Sequence, residues 1–285
     1  MMKGRTGLLL ALATCLLAGC AQKPVYDDRF YRLSERLSRL EEARSSQLER
    51  QVSQSLATLS NTIVELSARA QRSVVHVSAE PGVVINSGTG FVYNRDGIIL
   101  TNDHLVKVVA RLSDGQIKNF YKEQVTVRFH DGRSIKGRLI GVDPETDLAA
   151  VRVETDHLPP PLELATRRVR QGEMAFSIGH PRGLDYSVEW RPISAPYRIG
   201  SLKGTLLHQI GRGFFVGNSG GPIIDLEGKV IGMAYSSFRL KFEKNSKTDV
   251  LYAPIGWAIP AETMARVAPE LIHGKHRITE FVRSN

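Results

Sequence analysis

A serine set among three glycines stands out at residues 217–222, which read Gly-Asn-Ser-Gly-Gly-Pro. Glycine loses more conformational freedom on folding than any other residue, so this spacing predicts a backbone shape that other residues could not adopt. A sharp bend here would present the Ser219 hydroxyl as a nucleophile. The N–H groups of Gly217 and Ser219 would converge on one point, so the predicted oxyanion hole consists of Gly217, Asn218 and Ser219. The alternative is a glycine-rich turn that contains a serine by chance.

The same residues match Gly-x-Ser-x-Gly, the nucleophile elbow of α/β-hydrolases. In that elbow a strand leads into a helix, and the triad runs Ser, Asp or Glu, His along the chain. Residues 222–225 and 230–234 instead read as two strands joined by a turn. Only His273 and His276 follow the serine, and both lie in a basic tail. The opposite chain order, His, Asp, Ser, is therefore favoured.

Asp147 and His104 are the candidate partners of the serine. Asp147 opens an apolar run that reads as a buried strand, where a carboxylate is well placed to orient an imidazole. The alternative is an aspartate that caps its own turn. His104 directly follows an apolar strand, whereas His130 and His180 lie in turn-like settings and His157 precedes a proline run.

The N-terminus reads as a lipoprotein signal peptide over residues 1–19. Lys3 and Arg5 precede an apolar run at residues 8–17, which is too short to span a bilayer. The tetrapeptide Leu-Ala-Gly-Cys at residues 17–20 resembles the bacterial lipobox, in which Cys20 would be lipidated. The alternative is an ordinary signal with a chance cysteine. Ala21 follows the cysteine, and in Gram-negative lipoproteins that resemblance implies the outer membrane, facing the periplasm.

The net charge and the cysteine content indicate which partners and which disulfides to expect. Cys15 would leave with the signal and Cys20 would carry lipid, so no disulfide is expected. The formal net charge is +9, or +7 without Lys3 and Arg5. A positive net charge could indicate a protein that binds nucleic acid, but the sequence has no nucleic-acid-binding motif and its charges are spread out. We therefore expect a solvated basic surface and no nucleic-acid partner.

A long helix is predicted within residues 27–72, the main part of an anchor segment at 20–72. The stretch from Asp27 to Arg72 has no Gly or Pro, and its apolar residues recur every three or four positions as one stripe. Such a helix would extend roughly 70 Å. Its narrow stripe predicts a contact with a second copy or with a partner protein. The alternative is a spacer helix that lies back on its own domain.

Residues 73–267 read as a mainly β domain. Short apolar strands alternate with turn signals, as in a barrel or sandwich, and a proline run at residues 159–161 could join two barrels. A short helix is predicted at residues 261–271. A basic tail is assigned to residues 268–285.

Three motifs in this domain resemble those of HtrA-type proteases. They are Thr-Asn-Asp-His at 101–104, Thr-Asp-Leu-Ala-Ala-Val at 146–151 and the serine motif at 217–222. The resemblance implies a trypsin-like fold of two six-stranded β-barrels, here preceded by the long helix, and a serine endopeptidase with no metal or organic cofactor. It also implies that His104 is the general base, Asp147 its orienting carboxylate and Ser219 the nucleophile.

The sequence departs from the family pattern at three places. Too few residues follow position 267 for the PDZ domain that HtrA proteins usually carry, so none is expected. Residues 213–216 read Gly-Phe-Phe-Val where the family often has Asn-Pro before Gly217, which leaves the resting shape of the oxyanion loop open. The long helix and the lipid anchor replace the family's trimerising N-terminal segment.

The sequence thus predicts a periplasm-facing, lipid-anchored serine endopeptidase that acts on proteins or peptides in quality control or regulated proteolysis. Two alternatives remain: a protease-fold scaffold, and a latent protease activated by a partner at its helix. The predicted substrate pocket contains no acid and should take a small or medium apolar side chain. The alternative is that both phenylalanines are core residues and that the pocket lies elsewhere. The predicted lining consists of Phe214, Phe215, Val216, Ala234 and Tyr235.

Overall fold

A computed structural model describes residues 28–79, 87–111, 117–200, 202, 204–241, 250–274 and 281–282. The predicted signal peptide and Cys20 lie outside the described residues. The chain divides into two compact units, and the boundary between them lies between Leu59 and Ser60.

Helix α1 runs from Asp28 to Gln71 and matches the predicted helix to within one residue at each end. In the unit before Ser60, its large apolar side chains are exposed except for Leu59, which is half-buried. In the unit that begins at Ser60, Ala70 is buried in the core and Leu66 packs against it. No helix of the described residues is long and apolar enough to cross a membrane. The exposed side chains before Ser60 are Phe30, Tyr31, Leu33, Leu37, Leu40, Leu48, Val52 and Leu56.

Six of the first eight strands close into an antiparallel barrel, in the order β1-β2-β3-β8-β7-β6. A four-residue helix, α2 (Asp103–Val106), follows the third strand. Alternate side chains of the barrel strands point inward and form a core of valine, leucine, isoleucine and phenylalanine. The strands are β1 (Val74–Ser78), β2 (Ser87–Val92), β3 (Ile98–Asn102), β4 (Lys107–Arg111), β5 (Ile117–Lys122), β6 (Gln124–Arg128), β7 (Ser134–Asp143) and β8 (Leu148–Arg152).

The second half forms one sheet of seven strands, in the order β10-β9-β13-β14-β15-β12-β11. We predicted six strands here. Pro196 interrupts the strand signal of β11, which can hold a proline because it is an edge strand, and bulges break its pairing with β12. The strands are β9 (Ala175–Gly179), β10 (Ser187–Trp190), β11 (Ile193–Ile199), β12 (Leu206–Gly211), β13 (Pro222–Asp225), β14 (Val230–Lys241) and β15 (Val250–Pro260).

The C-terminal helix α3 runs from Ala261 to Ile272. Its buried face includes Ala268 and Leu271, which share one apolar cluster with Leu100 of β3 and Ile178 of β9. The residues from 268 to 272 therefore belong to the packed body rather than to the basic tail in which we placed them. A short strand, β16 (Phe281–Val282), pairs with β5 beside β4 in a small third sheet. The mainly β class and the long preceding helix are confirmed.

Candidate active site

His104 and Asp147 meet because their strands pair. His104 lies in α2 directly after β3, Asp147 directly precedes β8, and these strands are antiparallel, with Asn102 opposite Leu148. The imidazole Nδ1 of His104 lies 2.8 Å from Asp147 Oδ2, and its backbone N–H donates to Oδ1 at 3.0 Å. Asp147 is 5% exposed, whereas the His104 ring is 42% exposed. The carboxylate therefore holds His104 at two points, the ring Nδ1 and the backbone N–H, while the side chain remains partly exposed to solvent.

The backbone at Asp147 is itself fixed in an unusual shape. Its φ of 55° lies in the left-handed region, which aspartate and asparagine tolerate better than most residues. Its carbonyl oxygen accepts hydrogen bonds from the Asn102 side chain at 3.0 Å and from the Asp103 N–H at 3.1 Å. The turn is thus held from the β3 side, and the aspartate serves the imidazole rather than capping its own turn.

Ser219 lies between β12 and β13. Its hydroxyl donates to the carbonyl oxygen of Tyr235 at 3.2 Å and makes no hydrogen bond with His104 in the described part of the chain. The Tyr235 ring also stands beside the imidazole, with ring centroids 6.4 Å apart. Because a hydroxyl has one proton, Ser219 must exchange the Tyr235 carbonyl for the imidazole before it can pass that proton to His104.

The bend before the serine requires glycine. Gly217 has a φ of 101°, and a Cβ at this position would lie 2.1 Å from the His180 carbonyl oxygen. Its own carbonyl accepts a hydrogen bond from the Thr89 hydroxyl at 2.7 Å. Among the described residues, the N–H groups of Gly217 and Ser219 have no hydrogen-bond acceptor. Two backbone donors beside the serine are therefore available to a substrate.

The backbone N–H of Asn218 is not available to the predicted oxyanion hole. Its N–H donates to the Phe215 carbonyl oxygen at 3.0 Å and so closes the turn, which leaves that donor occupied. The side chain is buried, and its amide donates to Glu189 at 3.0 Å. Of the three residues predicted for the oxyanion hole, Gly217 and Ser219 keep the free N–H groups that we expected to bind the oxyanion.

The predicted pocket residues divide between the core and the surface. Phe214 is 4% exposed and packs among core residues, so its assignment to the pocket is corrected. A side chain already surrounded by apolar neighbours has no free face for a substrate. Phe215 and Val216 are 44% and 38% exposed, Ala234 is buried beneath the loop, and Tyr235 is half-buried beside His104. The alternative interpretation, that both phenylalanines are core residues, thus holds for Phe214 and not for Phe215.

His180 supports the loop from the other side. Its Nδ1 lies 3.2 Å from the hydroxyl of Thr89, the same hydroxyl that donates to Gly217. The ring is buried, and this burial lowers its pKa to about 3, with the neighbouring His76 adding to the shift. His180 is therefore a neutral structural contact and not a second base.

Sequence reasoning missed the side chains behind the loop. Arg191 is fully buried and Glu189 lies beside it, yet neither belongs to a motif. Thr89 does lie in a Gly-Thr-Gly-Phe segment that resembles the family, so its contact could have been anticipated. Nothing in the local sequence marks Arg191, because its other partners, Ser177 and the carbonyl groups of Arg212 and Gly213, lie far from it along the chain.

A histidine held by a buried carboxylate beside a serine loop, on a barrel and a paired β-sheet, defines the class of trypsin-like peptidases. A family model described as a trypsin-like peptidase domain matches residues 88–233, slightly more than half of the chain. The chain belongs to this family.

The relatives are HtrA-type proteins, which confirms the resemblance seen in the three motifs. The chain is 33% identical over 190 residues to the putative serine protease HhoB of Synechocystis, covering 65% of this chain and 40% of that protein. It is 32% identical over 203 residues to the chloroplastic Protease Do-like 5 of Arabidopsis thaliana, covering 68% and 59%. A solved structure of the HtrA-type protease AlgW with a tripeptide matches at 28% identity and a TM-score of 0.59, covering 75% and 64%. The chain spans less than two thirds of each of these proteins.

Proposed function

We propose that the protein is a serine endopeptidase with the triad His104, Asp147 and Ser219. The observation that carries the proposal is the double contact between Asp147 and His104 beside a serine flanked by two free N–H groups. Ser219 Oγ would attack the peptide carbonyl carbon while His104 Nε2 takes its proton. The N–H groups of Gly217 and Ser219 would bind the oxyanion. His104 then protonates the leaving amine as the C–N bond breaks, and water releases the acid from the acyl-enzyme.

A fluorophosphonate probe tests this proposal, since it reacts only with an activated serine. We expect labelling of the wild-type protein, none of Ser219→Ala, and hydrolysis of an unfolded model protein that is lost with the same substitution. Ser134→Ala, at an exposed position on β7, is the matched control and should label as the wild type does. Labelling that persists in Ser219→Ala would disprove the assignment.

A second candidate is a latent protease, and the Ser219–Tyr235 hydrogen bond favours it. In this form the serine donates away from its base, so a partner or substrate would have to turn the side chain. If the probe labels the free protein as fast as it labels the protein with a bound peptide, latency is excluded. Labelling that requires a peptide or partner would support it.

The proposed location is the periplasmic face of the outer membrane, with Cys20 as the lipidated residue. Relatives in Halomonas elongata and Chlamydia trachomatis carry the name probable periplasmic serine endoprotease DegP-like, which supports the compartment. The lipid anchor rests on the signal sequence alone. The proposed role is protein quality control or regulated proteolysis, with unfolded or partly unfolded proteins as substrates.

The proposed cleavage preference is for a small or medium apolar residue before the cleaved bond. With Phe214 in the core, the remaining lining is Phe215, Val216, Ala234 and Tyr235, none of which is charged. Sequencing the ends produced from an unfolded model substrate tests this. Predominant cleavage after Lys or Arg would contradict it.

A further inference from the structure

Arg191 is a buried cation that the proposed reaction does not use. It directly follows β10, and none of its surface is exposed to solvent. Burying a charge costs several kcal/mol unless it is paired and its donors are satisfied. Its partners therefore show what its burial achieves.

The guanidinium of Arg191 holds the start of the loop that leads to the nucleophile. Its Nη1 donates to the carbonyl oxygens of Arg212 and Gly213 at 3.1 and 3.2 Å. Its Nε donates to Ser177 of β9 at 3.1 Å, so the group is tied to the sheet. Its carbon Cζ lies 4.6 Å from the Phe214 ring centroid. One side chain thus contacts three consecutive loop residues.

Glu189 holds the end of the same loop. One carboxylate oxygen pairs with Arg191 Nη2. The other accepts a hydrogen bond from the side-chain amide of Asn218 at 3.0 Å. Asn218 directly precedes Ser219 and is 3% exposed. The ion pair therefore links residues 212 and 213 to residue 218 across the intervening turn.

The loop needs such support. It has no strand pairing between Gly211, where β12 ends, and Pro222, where β13 begins. It also contains three residues with positive φ, Arg212 at 65°, Gly217 at 101° and Gly220 at 83°, of which only Arg212 is strained because it is not a glycine. A strained conformation persists only where the surrounding structure determines it. The N–H groups of Gly217 and Ser219 can stabilise an oxyanion only if the loop is already in place.

We propose that the Arg191–Glu189 pair is an internal clasp that positions residues 212–218, and with them the two donors of the oxyanion hole. Both are positioning residues, since neither touches the reacting atoms. The expected effect of this clasp on catalysis rests on the proposed function, whereas its expected effect on the loop conformation does not. It also neutralises the carboxylate of Glu189, which leaves that acid unavailable to a basic substrate side chain.

The test compares wild type, Arg191→Met, Glu189→Gln and the double variant by hydrogen exchange and by ester turnover. In Arg191→Met we expect faster amide exchange in peptides covering 212–221 and unchanged exchange in β13 and β14. We expect kcat to fall by about tenfold or more with little change in KM, since one oxyanion donor is worth roughly 10² to 10³ in kcat. Arg170→Met, at an 85% exposed side chain in the same half, is the control and should change neither.

The double variant separates positioning from stability. Replacing both members of a buried ion pair by neutral groups often restores stability. We therefore expect its Tm to recover towards that of wild type while exchange in 212–221 stays fast and kcat stays low. Recovery of exchange and kcat together with Tm would show that the pair serves stability alone and would overturn the clasp.

If Arg191→Met does not fold, Arg191→Lys keeps the charge but has a single donor group, and the same comparison applies. Unchanged exchange in 212–221 overturns the proposal whether or not the protein is active. A wild type that neither labels nor hydrolyses would instead refute the proposed function, and the exchange experiment would still decide on the clasp.

Discussion

Asp147 combines a buried carboxylate with a left-handed backbone, and the two features can be separated by substitution. Asp147→Asn keeps the backbone conformation, because asparagine also tolerates it. It places an amide N–H against the imidazole, which favours the wrong tautomer. We expect kcat to fall by roughly 10³ to 10⁴ with the fold intact, measured by ester turnover and circular dichroism.

Asp143 provides the matched control for that substitution. It is also buried and near the same turn, but its carboxylate bonds the Glu145 N–H at 3.2 Å and the Thr146 hydroxyl at 2.6 Å. Asp143→Asn should lower Tm and leave kcat within about twofold, because the cost of a lost local hydrogen bond is about 1 kcal/mol of stability. Equal losses of kcat in the two variants would contradict the role of Asp147.

Two buried histidines predict how stability depends on pH. Burial lowers the pKa of His180 to about 3 and that of His208 to about 4, against 6.5 in the unfolded chain. Between these values the unfolded chain binds protons that the folded rings do not. Stability is therefore fully present above pH 6.5 and is lost as the pH falls toward the folded values, by up to about 1.4 kcal/mol per pH unit for each ring.

Thermal unfolding at pH 7.5 and pH 5.0 measures this loss. Tm should be lower at pH 5.0, and His180→Gln and His208→Gln should each reduce the difference between the two values. His157→Gln, at an exposed position, should leave the difference unchanged. Burial raises the pKa of Asp103, which acts in the opposite direction, so the decisive comparison is with the variants. A Tm difference that neither His180→Gln nor His208→Gln reduces would refute the buried-histidine explanation.

At the scale of elements, α1 has two roles, because the boundary between the compact units falls within it. A chain beginning at Ser60 keeps the contacts of Leu66 and Ala70 with the core. A chain beginning at Ser73 loses them, together with the hydrogen bond from Gln71 to the Tyr186 carbonyl at 3.3 Å. We expect the first to retain the Tm of the longer chain and the second to lose about 2–4 kcal/mol of stability, by analogy with large-to-small core changes.

The chain beginning at Ser60 also tests the predicted contact of the exposed α1 stripe with a second copy, when it is compared with a longer chain. A Cys20→Ser chain that retains α1 should sediment as an oligomer, and the chain beginning at Ser60 should be a monomer with unchanged probe labelling. Equal masses for the two would contradict self-association and leave a different partner as the occupant of the stripe.

At the scale of the whole molecule, both halves of the trypsin-like body share one apolar cluster, in which α3 joins β3 of the barrel to β9 of the second sheet. The proposed attachment to the membrane would depend instead on Cys20, which lies outside the described residues. We expect Cys20→Ser to move the protein from the membrane fraction to the soluble periplasmic fraction, since one residue carries the proposed lipid. Fractionation of cells producing wild type and variant measures this, and a variant that is processed and still sediments with membranes would contradict it.

The sequence by itself determined the features that depend on local patterns. The apolar stripe and the absence of Gly and Pro predicted α1 to within one residue at each end. The glycine-rich motif marked Ser219, and the positions of His104 and Asp147 at strand ends made them candidates. The assignment of the three as one triad came from the resemblance of the three motifs to HtrA-type proteases. The seven-stranded sheet was less accessible. The count of six strands came from the family resemblance, and the proline and two bulges in β11 weaken its strand signal.

Where the sequence has no helical or strand periodicity, only the tertiary structure decided which side chains are buried and which are exposed. Phe214 and Phe215 are adjacent and identical in type, yet one is buried in the core and the other is 44% exposed. Arg191 reads as a surface cation until the loop carbonyls of Arg212 and Gly213, which lie on another segment, and its near neighbour Glu189 surround it. The Ser219 hydroxyl likewise selects the Tyr235 carbonyl over the imidazole. In each case at least one partner comes from a distant part of the chain, and the free energy of that contact exists only once the sheet has brought the two segments together.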